Sequence, residues 1–241
     1  MLSKSQLKLI TSLRQKKYRT KEKLFIAEGI KVVNEFLNSE MKPHKIFCTT
    51  DFSHSLSEDT FQLISNEELK KISLLKTPNQ VLGLFEIPEE KVIVKAGLTL
   101  VLDSISDPGN LGTIIRLSDW FGIRQIICSE TTVDCYNPKV VMSTMGSLKR
   151  VNVRYTNLEE YIKSTKLPVY AAMMNGENVY ETKLINEAIL VMGNEANGIS
   201  KEMLDLITNQ IAIPRFGDVQ ETESLNVASA TAILLSEFKR A

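Results

Sequence analysis

The 241-residue chain is poor in the groups that usually announce an active site. It has two histidines, His44 and His54, both in the first quarter and in no metal-ligand pattern. A zinc centre or a histidine-based catalytic triad is therefore not expected, and the reading assigns no metal. The three cysteines, Cys48, Cys128 and Cys135, form no CxxC pair and read as small buried thiols of a reducing compartment. No G-x-G-x-x-G and no G-x-x-x-x-G-K-[ST] occurs, which disfavours a nicotinamide-dependent oxidoreductase and a phosphate-cradling kinase. No apolar run approaches the roughly 18 residues needed to cross a bilayer, and there is no secretory hydrophobic region. What remains, at 43% hydrophobic and 24% charged residues, is the composition of an ordinary globular protein, read as cytoplasmic.

The formal net charge of +0 conceals an uneven distribution. Residues 1–23 hold eight basic side chains (Lys4, Lys8, Arg14, Lys16, Lys17, Arg19, Lys21, Lys23) against Glu22 alone, a net +7 that leaves −7 on the other 218 residues. Basic segments on otherwise acidic chains often meet phosphates. A solvated basic helix face and a transit peptide, the latter from the acid-free first 21 residues with Ser3, Ser5 and Ser12, are the alternatives from composition.

The pattern divides the chain in two. "LFIAEGIKVVNEFLN" reads as a strand, a turn at Gly29 and a helix burying Ile30, Val33, Phe36 and Leu37. "HKIFCTT" and "QVLGLFEI" read as further strands, and "SNEELKKI" as a helix opened by a Ser65–Glu68 capping box. "PEEKVIVKAG", 88–97, is read as the boundary, giving domains at 1–92 and 96–241. Beyond it, strands at Leu98–Ile105, Gln125–Ser129, Val169–Met174, Ala188–Met192 and Gln210–Pro214 alternate with helices at Leu111–Phe121, Pro138–Gly146, Leu158–Ser164, Lys201–Ile207 and Leu225–Lys239. Val-, Ile- and Leu-rich strands alternating with helices predict an α/β fold with a mainly parallel sheet, whose ligands sit beyond the carboxyl ends of the strands.

Three loops fall at such ends. In "SDPGNLGTIIRLSDWFGI", Asn110 is read as the helix cap, Gly112 as a point of close backbone approach, and Arg116 as a lone cation in an apolar stretch, an exposed surface arginine being the plain alternative. In "AILVMGNEANGIS", Gly193 and Gly198 free the backbone to approach a ligand and Asn194 and Glu195 offer polar groups. In "IAIPRFGDVQETESLNVASATAILLSEF", a strand reaches Pro214 and a polar loop leads to Ser224-Leu225-Asn226, with Ser224 or Asn226 as cap. The small residues of that last helix, Ala228 to Ala232, favour tight packing on a core or on a partner subunit.

Taken together and in order, "NLGTIIR", "VMGNEANGIS" and "IPRFGDVQETESLNVASA" resemble the three motifs of the SpoU (TrmH-type) branch of the SPOUT RNA methyltransferases, over about 98–241. "RQKKYRTKEKLFIAEGIKVVNEFL" resembles the start of the α/β substrate-binding module that often precedes that domain. The resemblance implies a deep trefoil knot, a homodimer with its active site near the interface, and S-adenosylmethionine bound in the knotted region. It implies transfer of a methyl group to a ribose 2′-hydroxyl of RNA, with ribosomal RNA favoured over transfer RNA because of the N-terminal module.

By the same resemblance, Met192, Gly193, Asn194 and Gly198 form one wall of the cofactor pocket, Ile213 and Pro214 another, and Leu225 and Asn226 a third. Arg116, Asn110, Glu195, Ser224 and Asn226 are the catalytic set, and Arg14, Lys16, Lys17, Arg19 and Lys21 the RNA-binding cations. Arg116 matches the family's proposed base, but a guanidinium, which holds its proton, is better suited to stabilising an alkoxide or clamping a phosphate. Glu195 reads as an organiser holding Asn110 or Arg116. The chain departs from the family at Arg215, where methionine is common, and in a long segment from Pro214 to Ser224 carrying Asp218, Glu221 and Glu223. A non-catalytic RNA-binding assembly factor on the same fold is the alternative function.

Overall fold

The computed structural model describes residues 1–49, 60–89, 97–217 and 224–240. His54, most of the boundary segment 88–97, and Asp218, Glu221 and Glu223 lie outside the described residues. The chain forms two compact units, Met1–Glu90 with Asp134–Lys149, and Lys91–Val133 with Arg150–Ala241.

The first unit begins with the basic segment folded as two helices, α1 (Lys4–Ser12) and α2 (Lys16–Glu22). The elements β1 (Leu24–Glu28), α3 (Ile30–Leu37), β2 (Pro43–Cys48), β3 (Phe61–Leu63), α4 (Asn66–Ile72) and β4 (Val81–Glu86) follow. The sheet has the order β1-β4-β2-β3, with β4 antiparallel to both neighbours and β3 parallel to β2. Alternation along the strands sends side chains to both faces, and both are covered. Leu24, Ile26, Leu82 and Leu84 pack with Ile10 and Leu13 from the N-terminal segment and Leu69 and Ile72 of α4. On the alternate positions Phe25 and Phe85 pack with Phe36, and Phe25 lies 4.9 Å from the ring of Tyr136.

Tyr136 belongs to the segment 134–149, which lies far along the chain yet packs in the first unit. By sequence that segment falls within the C-terminal domain, and nothing local in it signals its packing in the first unit.

In the second unit β5 (Thr99–Leu102), α5 (Pro108–Trp120) and β6 (Gln125–Cys128) come first. The chain then gives α6 (Pro138–Ser143) to the first unit before returning as β7 (Asn152–Tyr155), α7 (Leu158–Ser164), β8 (Val169–Asn178), β9 (Ile189–Met192), α8 (Lys201–Leu204), β10 (Asn209–Ala212) and α9 (Val227–Arg240). The sheet order is β10-β8-β9-β5-β6-β7 and every pair is parallel. β5, β6 and β9 are buried along their whole lengths, as strands covered on both faces must be. From β5 the chain runs one way through β6 and β7, then returns to build the other side through β8, β9 and β10. The order therefore reverses between β5 and β9, where the loops leaving their carboxyl ends diverge and open a crevice. Register sets Leu102 beside Met192, so those loops start side by side.

Candidate active site

The first loop runs from Leu102 to α5. The helix is capped by Asp107, whose Oδ1 accepts from the Asn110 amide at 2.8 Å, with Pro108 in the first turn. This corrects the sequence reading of Asn110 as the cap: Asp-Pro supplies both the side-chain acceptor and the fixed φ of a helix start. Asn110 sits inside the first turn and its side-chain amide is directed elsewhere.

The second loop closes on itself. Asn194 and Gly198 exchange backbone hydrogen bonds of 2.8 and 2.9 Å, and Asn194 Oδ1 accepts from the amides of Ala196 (2.9 Å) and Asn197 (3.1 Å). A Cβ on Gly193 would lie 2.3 Å from the Gly198 carbonyl carbon and the Ile199 nitrogen, so this glycine is required by loop closure. Gly198 has open space around it and is required by its φ of +70°. Both glycines thus answer to the loop's own shape. Asn194 Nδ2 donates to the Ser104 carbonyl at 2.7 Å, so its amide organises the loop instead of facing outward. Met192 is 3% exposed and its carbonyl accepts from the Asp103 amide at 2.9 Å, which fastens β9 to β5.

The third loop arrives at Asn226. Its Oδ1 accepts from the amides of Ala228 (2.9 Å) and Ser229 (3.3 Å), which makes it the cap of α9. Ser224 and Leu225 precede it and are exposed.

One hydrogen-bond chain ties the loops together. Asn110 Nδ2 donates to Glu195 Oε1 at 2.8 Å, Ser106 Oγ lies 3.4 Å from Glu195 Oε2, and Asn226 Nδ2 donates to Asn110 Oδ1 at 3.0 Å. Its direction is fixed chemically. An ionised carboxylate only accepts, so Asn110 must present its amino group to Glu195 and its oxygen to Asn226. Asn226 needs its own oxygen for α9, so its amino group must face Asn110. Of the two partners expected for Glu195, the geometry selects Asn110.

Arg116 stands on α5, exposed, and among the described residues its side chain makes no hydrogen bond or ion pair. Ile213 and Pro214, directly after β10, are half-buried, and Leu225 is 51% exposed. Partly open apolar side chains beside tightly folded backbone suit the faces and edges of a purine, so these residues fit an adenosyl group. Sequence reasoning misses Asp103, Ser104, Ser106 and Ser200; the serines lack a spacing signal, and Asp103 falls inside the strand expected over Leu98–Ile105, which ends at Leu102 instead.

The cations assigned to RNA lie in the first unit and differ among themselves. Arg14, Lys16, Lys17 and Lys21 are exposed. Arg19 is 3% exposed, donates to Asp134 Oδ2 through Nε (2.9 Å) and Nη2 (2.5 Å), and uses Nη1 on the carbonyls of Leu13 and Arg14. A guanidinium engaged this way cannot also meet a phosphate, and the assignment of Arg19 to RNA is corrected accordingly. Cys48, Cys128 and Cys135 are buried and unbridged. Among the described residues no cluster of His, Cys, Asp or Glu could hold a metal ion, and no helix is long and apolar enough to cross a membrane.

Comparison with known proteins bears on this site directly. Residues 97–236 match the SpoU rRNA Methylase family, and residues 4–83 match the MRM3-like substrate binding domain. The chain is 32% identical over 242 residues to 23S rRNA (guanosine(2553)-2′-O)-methyltransferase of Bacillus subtilis, covering 94% of this chain and 93% of the relative. Among solved structures it superposes on a TrmH-family protein from Porphyromonas gingivalis with a TM-score of 0.90 at 40% identity, covering 100% of this chain and 99% of that one. It superposes on an AdoMet-bound rRNA methyltransferase from Sinorhizobium meliloti with a TM-score of 0.86 at 28% identity, covering 100% and 97%.

Proposed function

The chain belongs to the SpoU rRNA methylase family, and on that footing we propose how its own residues methylate a ribose 2′-hydroxyl of ribosomal RNA. The observation that carries the reading is the Glu195–Asn110–Asn226 chain across the crevice between β5 and β9. S-adenosylmethionine, when bound, supplies an electrophilic methyl group on a sulfonium. Met192, Gly193 and Gly198, with Ile213, Pro214 and Leu225, enclose the adenosyl portion, and Asn194 holds their loop in shape. Positioning of the ribose against that methyl group supplies much of the rate.

Arg116 donates to the 2′-oxygen as its proton passes to solvent water, stabilising the developing alkoxide, or to the phosphate beside it. Its lack of another partner among the described residues supports that role, because a guanidinium already paired would have to be released first. Glu195 acts through Asn110 and Asn226, keeping the first turns of α5 and α9 in register, and Ser224 orients substrate from the exposed turn before α9. Arg14, Lys16, Lys17 and Lys21 hold the RNA backbone. The reading includes a cytoplasmic homodimer through the C-terminal unit, supported by Trp120, 84% exposed at the end of α5, and it retains the trefoil knot.

The test is transfer of labelled methyl from S-adenosylmethionine to total RNA from a strain deleted for the gene, separated by size, with Arg116→Ala as control. Label in one ribosomal RNA band, lost in the variant, is expected. Absence of label on RNA and on ribosomal subunits, together with absence of cofactor binding, would favour the assembly-factor alternative.

A further inference from the structure

The Gly193–Ser200 loop is fastened at both ends to two consecutive residues that methyl transfer does not use. Asp103 directly follows β5 and is 5% exposed. Its Oδ2 accepts from the Ser200 amide at 2.8 Å, where the loop ends, and its Oδ1 accepts from Ser104 Oγ at 3.1 Å. Ser104 in turn offers its carbonyl to Asn194 Nδ2 at 2.7 Å, where the loop begins. That carbonyl points the right way because Ser104 adopts a φ of +59°, a left-handed conformation unfavourable for a residue with a side chain.

A group of hydroxyls holds Ser104 there. Its amide donates to Ser129 Oγ at 2.9 Å and its hydroxyl meets Thr131 Oγ1 at 2.8 Å. Ser129 Oγ also meets Thr132 Oγ1 at 2.9 Å, and Thr132 donates to the Leu102 carbonyl at 3.2 Å. The strained turn is thereby anchored to the end of β6. A buried carboxylate is costly unless its oxygens are hydrogen-bonded, and both oxygens of Asp103 are.

We propose that Asp103 is a positioning residue that sets cofactor affinity by fixing the shape of the Gly193–Ser200 loop, without itself touching the cofactor. The inference rests on the reading of that loop as the cofactor wall. In Asp103→Ala the Ser200 amide is left without its acceptor and the Ser104 hydroxyl loses one of its two partners, Thr131 remaining. In Asp103→Asn the carboxamide oxygen still accepts from Ser200, while its amino group donates to the Ser104 hydroxyl, which can reverse.

Calorimetric titration with S-adenosylmethionine, together with kcat and the KM for RNA at saturating cofactor, tests this. Asp103→Ala should weaken cofactor binding by about tenfold to a hundredfold, the range expected when a buried amide loses its partner, with kcat and the RNA KM nearly unchanged. Asp103→Asn should restore most of the affinity, and amide exchange over residues 194–200 should quicken in the alanine variant and slow again in the asparagine one. Phe238→Leu, at the far end of α9 where the ring packs 5.4 Å from Tyr170, serves as a destabilised control. Affinity falling equally in Phe238→Leu at a matched loss of Tm would overturn the inference, as would unchanged affinity in Asp103→Ala. If the wild-type protein itself binds no S-adenosylmethionine, the failure belongs to the reading of the site.

Discussion

At the scale of single residues the site depends on amide orientation as much as on charge. Glu195→Gln keeps the length of the side chain but gives it a donor as well as an acceptor. Asn110 can then turn its oxygen toward residue 195, leaving amino group facing amino group at Asn226. Because the bond removed is charge-assisted but exposed, turnover should fall about tenfold, with little change in Tm. Steady-state kinetics beside a thermal melt checks it, and a large Tm loss would mean the network serves the fold first. Arg116→Lys retains the charge and loses the fork of donors, so both roles assigned to Arg116 predict a fall of about a hundredfold in kcat with cofactor affinity unchanged. Near-normal turnover in that variant would refute both roles.

At the scale of elements, legibility in the sequence follows how local the cause is. "ILVM" reads as a strand because burial on both faces leaves an unbroken apolar run, and β9 occupies those residues. The Ser65 capping box is present with both of its hydrogen bonds, since it needs only neighbours in sequence. The sheet strand β7, with no fully buried position in "NVRY", carries no such run, and periodicity does not reveal it. The cap of α5 lies three residues before the position the sequence suggests, because Asn110 and Asp107 are equally suitable by type. Which one caps depends on Pro108, and what occupies the other depends on Glu195, 85 residues away. Likewise nothing local in "CYNPKVV" tells that Tyr136 joins the aromatic core of the first unit.

That burial has a titration consequence. Desolvation first, then the neighbouring Cys135 and Asp134 charges, push the Tyr136 phenol well above its ordinary value. The fold holds the neutral form, so this stabilisation is complete below about pH 10, where an unfolded tyrosine ionises, and declines as pH rises further. Tyr161 and Tyr170 are raised by burial too and act in the same direction. Denaturant titrations above about pH 10 should therefore show a smaller alkaline loss in Tyr136→Phe than in the wild type; identical slopes would mean that the phenol reaches water in the native state.

At the scale of the whole molecule the division of charge, +7 on residues 1–23 against −7 on the rest, predicts binding dominated by phosphates and therefore by salt. The structure divides that basic segment into two classes that the sequence presents as one. Lys16, Lys17 and Lys21 face solvent, whereas Arg19 is buried against Asp134. Replacing the three lysines with alanine should weaken RNA binding and flatten the plot of log K against log salt by about 0.7 to 0.9 for each phosphate no longer neutralised. Cofactor affinity and Tm should hardly move. Arg19→Ala should do the reverse. It strands a carboxylate that is 13% exposed and removes donors from the carbonyls of Leu13 and Arg14, so a loss of about 3 kcal/mol in stability is expected, with the salt slope intact in protein that remains folded. Filter binding across a salt series, beside denaturant unfolding of each variant, separates the two classes. A reduced salt slope in folded Arg19→Ala would return that residue to the RNA surface.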